Sequence, residues 1–127
     1  MDKITALIKH YEKDMLADLS KLIAIPSIRD LDTKREGAPF GENIDKVFKE
    51  FTMIAQKLGF KVRNFDGYAI DASINESDDY IGILAHLDVV EAGDLSKWTS
   101  DPFKMMLEEG LLKGRGVSDD KGPLIIA

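Results

Sequence analysis

A chain of 127 residues is long enough for one core of ordinary domain size, and 44 % apolar with 31 % charged residues is the balance of a globular protein. Asp and Glu number 23 against 17 Lys and Arg, and the net charge of −6 argues against a nucleic-acid or anionic-membrane partner, which would need a basic face. The absence of cysteine excludes disulfides and thiolate metal sites, so any metal must be held by carboxylates and by His10 or His86, the two histidines present.

No apolar run reaches the roughly 18 residues of a membrane span, and Met1–Thr5 lacks the basic-then-apolar pattern of a secretory signal. Ile4, Leu7, Ile8, Tyr11, Met15, Leu16, Leu19, Leu22 and Ile23 recur at helical spacing, with Asp2 as cap and Pro26 as terminator. Ser27 to Gly41 reads as a loop broken by Gly37, Pro39 and Gly41. A second helix is predicted from Asn43 as N-cap, with Ile44, Val47, Phe48, Phe51, Ile54, Ala55 and Leu58 on its apolar stripe and Gly59 past its end.

The period then changes from helical to alternating. Residues 60–65 and Tyr68, Ile70, Ala72 and Ile74 alternate as two strands around an Asp66-Gly67 hairpin turn. Residues 80–85 form a continuous apolar run, the pattern of a strand buried on both faces of a sheet, which delivers His86-Leu87-Asp88 at its C-terminal end. Short strands are predicted around Lys104–Leu107 and Leu111–Lys113, and a third helix opens at Leu124.

Two places carry chemistry. His86 and Asp88, two apart on an extended chain, point the same way. One can ligate a metal while the other orients it, because a ligating imidazole usually donates its other N–H to an oxygen. Taken alone, the pair equally fits a hydrogen-bonded core histidine beside a turn aspartate. Asp119-Asp120 are adjacent carboxylates that repel unless a positive charge is near, whether Lys121, a helix N-terminus or a divalent cation. Taken alone they also fit the acidic first turn of a helix. Gly114, Gly116 and Gly122 are not spaced as a dinucleotide fingerprint, and Lys121 precedes Gly122 rather than the Ser or Thr of a phosphate loop. His10 reads as a solvated helix residue, and Trp98 and Phe103 as loop anchors.

His86-Leu87-Asp88-Val89-Val90, Trp98, Asp101-Pro102-Phe103 and residues 114–123 (GRGVSDDKGP) occur in that order. This order resembles the co-catalytic metallopeptidase family of aminoacylases, acetylornithine deacetylases, succinyl-diaminopimelate desuccinylases and glutamate carboxypeptidases. Within it, Pro39-Phe40-Gly41 and Asp119-Asp120-Lys121-Gly122-Pro123 are most similar to the peptidase V-type dipeptidases.

The resemblance implies an α/β fold: the N-terminal portion, residues 1–127, of a helix-flanked mixed-sheet catalytic domain of the phosphorylase/hydrolase-like kind, with the lid domain absent. It implies two divalent metal ions, zinc first, with manganese or cobalt as alternatives. His86 would be a terminal ligand of one ion, Asp119 the carboxylate bridging both ions, with its peptide bond to Asp120 cis, and Asp88 the catalytic-site residue that orients His86. Peptide hydrolysis would proceed by a hydroxide bridging the ions, with a general-base glutamate supplied from beyond these residues. The substrate would be a small dipeptide or an N-acyl amino acid, the compartment the cytoplasm, and this chain by itself inactive. A deacylase or desuccinylase of the same family is the alternative activity, and a non-catalytic binding module is the alternative of another class.

Overall fold

The computed structural model describes residues 2–127. Helix α1 spans Lys3–Ile23 and begins where the Asp2 carboxylate accepts the Thr5 N–H at 2.8 Å. Its apolar stripe has two fates. Leu19, Leu22 and Ile23 are buried, whereas Ile4, Leu7, Ile8 and Tyr11 remain about half exposed or more.

Helix α2 spans Glu42–Lys57, and its N-cap is Gly41 rather than the expected Asn43. The reason is tertiary. Gly41 has φ of +103°, and a Cβ there would stand 2.3 Å from the Asp30 carbonyl oxygen. With no side chain at the cap position, Thr33 reaches across from the preceding loop, and its hydroxyl accepts the Glu42 N–H at 3.0 Å. Ile44, Val47, Phe48 and Ile54 of α2 pack with Leu22 of α1 and with Leu87 into the main core.

Strands β1 (Lys61–Phe65) and β2 (Ala69–Ser73) form an antiparallel hairpin with Asn64 opposite Ile70. Asp66 and Gly67 both have positive φ, the turn that the Asp-Gly pair predicts. Strands β3 (Met106–Glu108) and β4 (Leu111–Lys113) form a second hairpin around Glu109-Gly110. Helix α3 covers Lys121–Ile126, starts three residues before the expected Leu124, and packs on α1.

The fold is α/β, with two small antiparallel sheets. Residues 80–85 depart from expectation: they form no ladder, and Ile81 and Leu84 are 96 % and 99 % exposed. A strand is stabilised by its neighbours' hydrogen bonds and facing side chains, and no strand among the described residues pairs with this one. No helix among the described residues is long and apolar enough to cross a membrane.

Candidate metal centre

The chain from His86 to Val89 is extended, and its side chains alternate. Leu87 and Val89 are buried, while His86 and Asp88 face outward together. This orientation is held from the end of α1. Pro26 follows the helix, and Ser27 then lies fully buried beside the His86 segment. The Ser27 carbonyl accepts the Val89 N–H at 3.0 Å, and the Ser27 hydroxyl donates to the Leu87 carbonyl at 2.7 Å.

Asp119, 33 residues further along, meets His86 from the other side. Its Oδ1 lies 2.9 Å from His86 Nε2, and the Asp119–Asp120 peptide bond is cis. Asp120 Oδ2 accepts the His86 backbone N–H at 3.1 Å. Gly122 makes this turn feasible, since a Cβ there would fall 1.9 Å from the Val117 carbonyl oxygen. The structure thus brings together His86, Asp88 and Asp119. His10 lies apart, stacked edge-on against Tyr11 in the exposed half of α1.

His86 Nδ1 lies 3.0 Å from the Asp88 carbonyl oxygen and 3.4 Å from the Asp88 carboxylate. Both ring nitrogens therefore face acceptors, yet a neutral imidazole has one N–H to donate. A ring with Nδ1–H donated to Asp88 turns its Nε2 lone pair toward the Asp119 oxygen. That arrangement needs a cation at Nε2, either a second proton or a metal ion. The ring pKa reflects it: burial opposes charging, but the Asp88 carbonyl and the Asp119 carboxylate outweigh it and raise the value above the ordinary one.

A divalent metal fits the same donors. Neutral imidazole and carboxylate suit zinc or manganese, and donor atoms around tetrahedral zinc lie roughly 3.3 Å apart, near the spacing seen here. The Asp119 side chain is 87 % exposed and the His86 side chain 48 %, so both are accessible. No group of three or more potential ligands converges among the described residues, so His86 and Asp119 make only part of a coordination sphere.

Of the positive partners open to the paired carboxylates, Lys121 is not the one used. It does not turn to Asp119 to relieve the paired carboxylates. Its side chain is fully buried, and Nζ donates to the Leu22 and Ile25 carbonyls at 2.8 and 2.9 Å. Burial pushes its pKa down to about 8, with Asp88 pulling the other way. Neither this role nor the tie from Asp120 to the His86 amide has a local sequence signal, because both partners are distant in the chain. Trp98 is a loop anchor as expected: its ring N–H donates to the Ala92 carbonyl at 2.9 Å, and the Arg115 guanidinium lies 5.4 Å from its ring centre.

The fold resembles a solved structure whose title calls it a novel di-peptidase, Dug1p from Saccharomyces cerevisiae, with a TM-score of 0.75 over 93 % of this chain and 27 % of that one, at 24 % identity. Residues 82–127, which carry His86, Asp88 and Asp119, match the model of peptidase family M20/M25/M40. This match falls on the same residues that carry the motif resemblance. The sequence is 43 % identical over 114 residues to the Beta-Ala-Xaa dipeptidase of Lactobacillus delbrueckii subsp. lactis. It is 39 % identical over 116 residues to YtjP of Bacillus subtilis (strain 168), whose name carries a provisional dipeptidase assignment. These matches take in 89 % and 91 % of this chain but 24 % and 25 % of the relatives, so the chain spans about a quarter of their length.

Proposed function

We propose that this chain is the N-terminal portion of the catalytic domain of a metal-dependent dipeptidase. His86 and Asp119 would hold divalent cations, Asp119 as the carboxylate shared between two of them, and Asp88 would orient His86. The observation that carries this reading is the convergence of His86 Nε2 and Asp119 Oδ1 at 2.9 Å while Nδ1 is engaged by Asp88. With its Nδ1–H donated to the Asp88 carbonyl, the ring would present the Nε2 lone pair to a metal. The motif resemblance puts zinc first, with manganese or cobalt as alternatives, and imidazole with carboxylate donors is compatible with each.

Paired divalent cations at such a site acidify water and polarise a carbonyl, the two requirements of amide hydrolysis. The relatives' names support a dipeptide as the substrate class. Two donors make an incomplete site, so residues 1–127 alone are expected to cleave no dipeptide, and further ligands and a general base would come from other parts of the protein.

The test uses the full-length protein. A chelator should abolish dipeptide cleavage, and zinc or manganese should restore it. Failure of every divalent ion to restore activity would sink the metal reading. Faster cleavage of N-acyl amino acids than of dipeptides would shift the reading to the deacylase alternative.

A further inference from the structure

The two halves of the candidate centre are 33 residues apart in sequence, yet both are fastened to one short stretch, the exit of α1 from Leu22 to Ser27. The His86 half is fastened through Ser27. The Ser27 N–H is already used in a tight turn to the Ile25 carbonyl at 2.8 Å, so it cannot serve the neighbouring chain. The hydroxyl takes its place and donates to the Leu87 carbonyl, while the Ser27 carbonyl accepts from Val89. These two bonds flank Asp88 and fix the direction in which His86 and Asp88 leave the backbone.

The Asp119 half is fastened through Lys121. The last carbonyls of a helix need donors from elsewhere, and Pro26 has no N–H to contribute. The Leu22 carbonyl accepts the Ile25 N–H and the Ile25 carbonyl the Ser27 N–H, and Lys121 adds a further donor to each, spanning 99 residues of sequence to Leu22 and 96 to Ile25. A buried ammonium held by two carbonyls has little freedom to move, and Asp119 stands two residues before it.

We propose that Ser27 and Lys121 are positioning residues that set the separation of His86 Nε2 from Asp119 Oδ1, with the α1 exit as their common base. Neither touches the ligating atoms. Each acts through the backbone that carries a ligand. The metal part of this inference rests on the function proposed above, but the positioning part can be read without metal.

The experiment compares full-length wild type with Ser27→Ala, Ser27→Thr and Lys121→Met. In the metal-free protein at alkaline pH, 15N NMR of the His86 ring should show a single environment, the same in wild type and Ser27→Thr. Ser27→Ala and Lys121→Met should show a mixture. Zinc affinity, measured by competition with a chromophoric chelator, should fall roughly 10- to 100-fold in those two variants, the range found when groups supporting a ligand are removed. The threonine variant, which keeps the hydroxyl, should stay within about threefold. Folded Ser27→Ala and Lys121→Met proteins with wild-type ring spectra and unchanged zinc affinity would overturn the proposal.

Should the variants fail to fold, hydrogen exchange of wild type decides. The Val89 amide should be protected as strongly as the core amides of α1, and exchange at loop rates would refute the clamp. Wild type that binds no zinc but shows the ring and amide behaviour described would sink the metal reading and uphold the positioning.

Discussion

Residues 80–85 and 86–89 are neighbours that meet opposite fates, and the more apolar of the two is the exposed one. In the first, Ile81 and Leu84 are almost wholly exposed. In the second, Leu87 and Val89 are 5 % and 6 % exposed. Neither stretch joins a sheet, and only the second has hydrogen-bonded and packed partners. Ser27 bonds to it on one side, and Leu22, Ile44, Val47 and Phe48 receive Leu87 on the other. The comparison teaches that hydrophobicity says which residues gain from burial, while the place of burial depends on who offers a complementary face. It also explains why the candidate ligands are well aimed, since His86 and Asp88 alternate with the two anchored residues.

The comparison can be broken most directly at Leu87. Leu87→Ala should cost about 2–5 kcal/mol, measured by urea denaturation, because it empties a site in the packed core. A loss below about 1 kcal/mol would mean that the anchored stretch is no better held than its neighbour. At the second helix of the same core, Thr33→Val should cost about 1 kcal/mol by removing the hydroxyl that accepts the Glu42 N–H.

A smaller effect is expected at Asp45, whose carboxylate pairs with Arg35 at 2.5 Å and Lys49 at 2.8 Å. Burial raises its pKa, but Lys49 and Arg35 outweigh that and hold it below the usual carboxylate value. Because the folded state binds this proton less tightly than the unfolded chain, the stabilisation is full above the ordinary Asp pKa. It is lost as pH falls through the lowered one. Wild type should therefore exceed Asp45→Asn by no more than about 1 kcal/mol near neutrality, and the gap should close in acid. Thermal melts of both proteins across that range check the sign. The smallest change belongs to the exposed stretch: Leu84→Ser should alter the stability of this chain by less than about 0.5 kcal/mol. A larger loss would show that residues 80–85 have a partner within it.

Much of the architecture was legible because it is local. The Asp2 cap, the stop before Pro26, the Asp66-Gly67 turn and the hairpin around Glu109-Gly110 each follow from a few adjacent residues. The Gly41 cap was not legible, since its reason is the Asp30 carbonyl in a different loop. The burial expected at residues 80–85 was misread for the same reason. An apolar run reports a preference, and its fulfilment depends on strands elsewhere.

For the candidate centre, the sequence by itself determined which chemistry is open to this protein. It has no thiolates, one histidine in an extended setting beside an aspartate, and a paired-aspartate turn among glycines. It also determined, through the two-residue spacing of His86 and Asp88, that both share a face. Only the tertiary structure decided that Asp119 meets His86, that Asp120 holds the His86 amide, and that Ser27 and Lys121 tie both halves to the end of α1. The physical reason is range. Spacing governs groups a few residues apart, whereas a buried serine or lysine finds its acceptors wherever packing brings a carbonyl within reach.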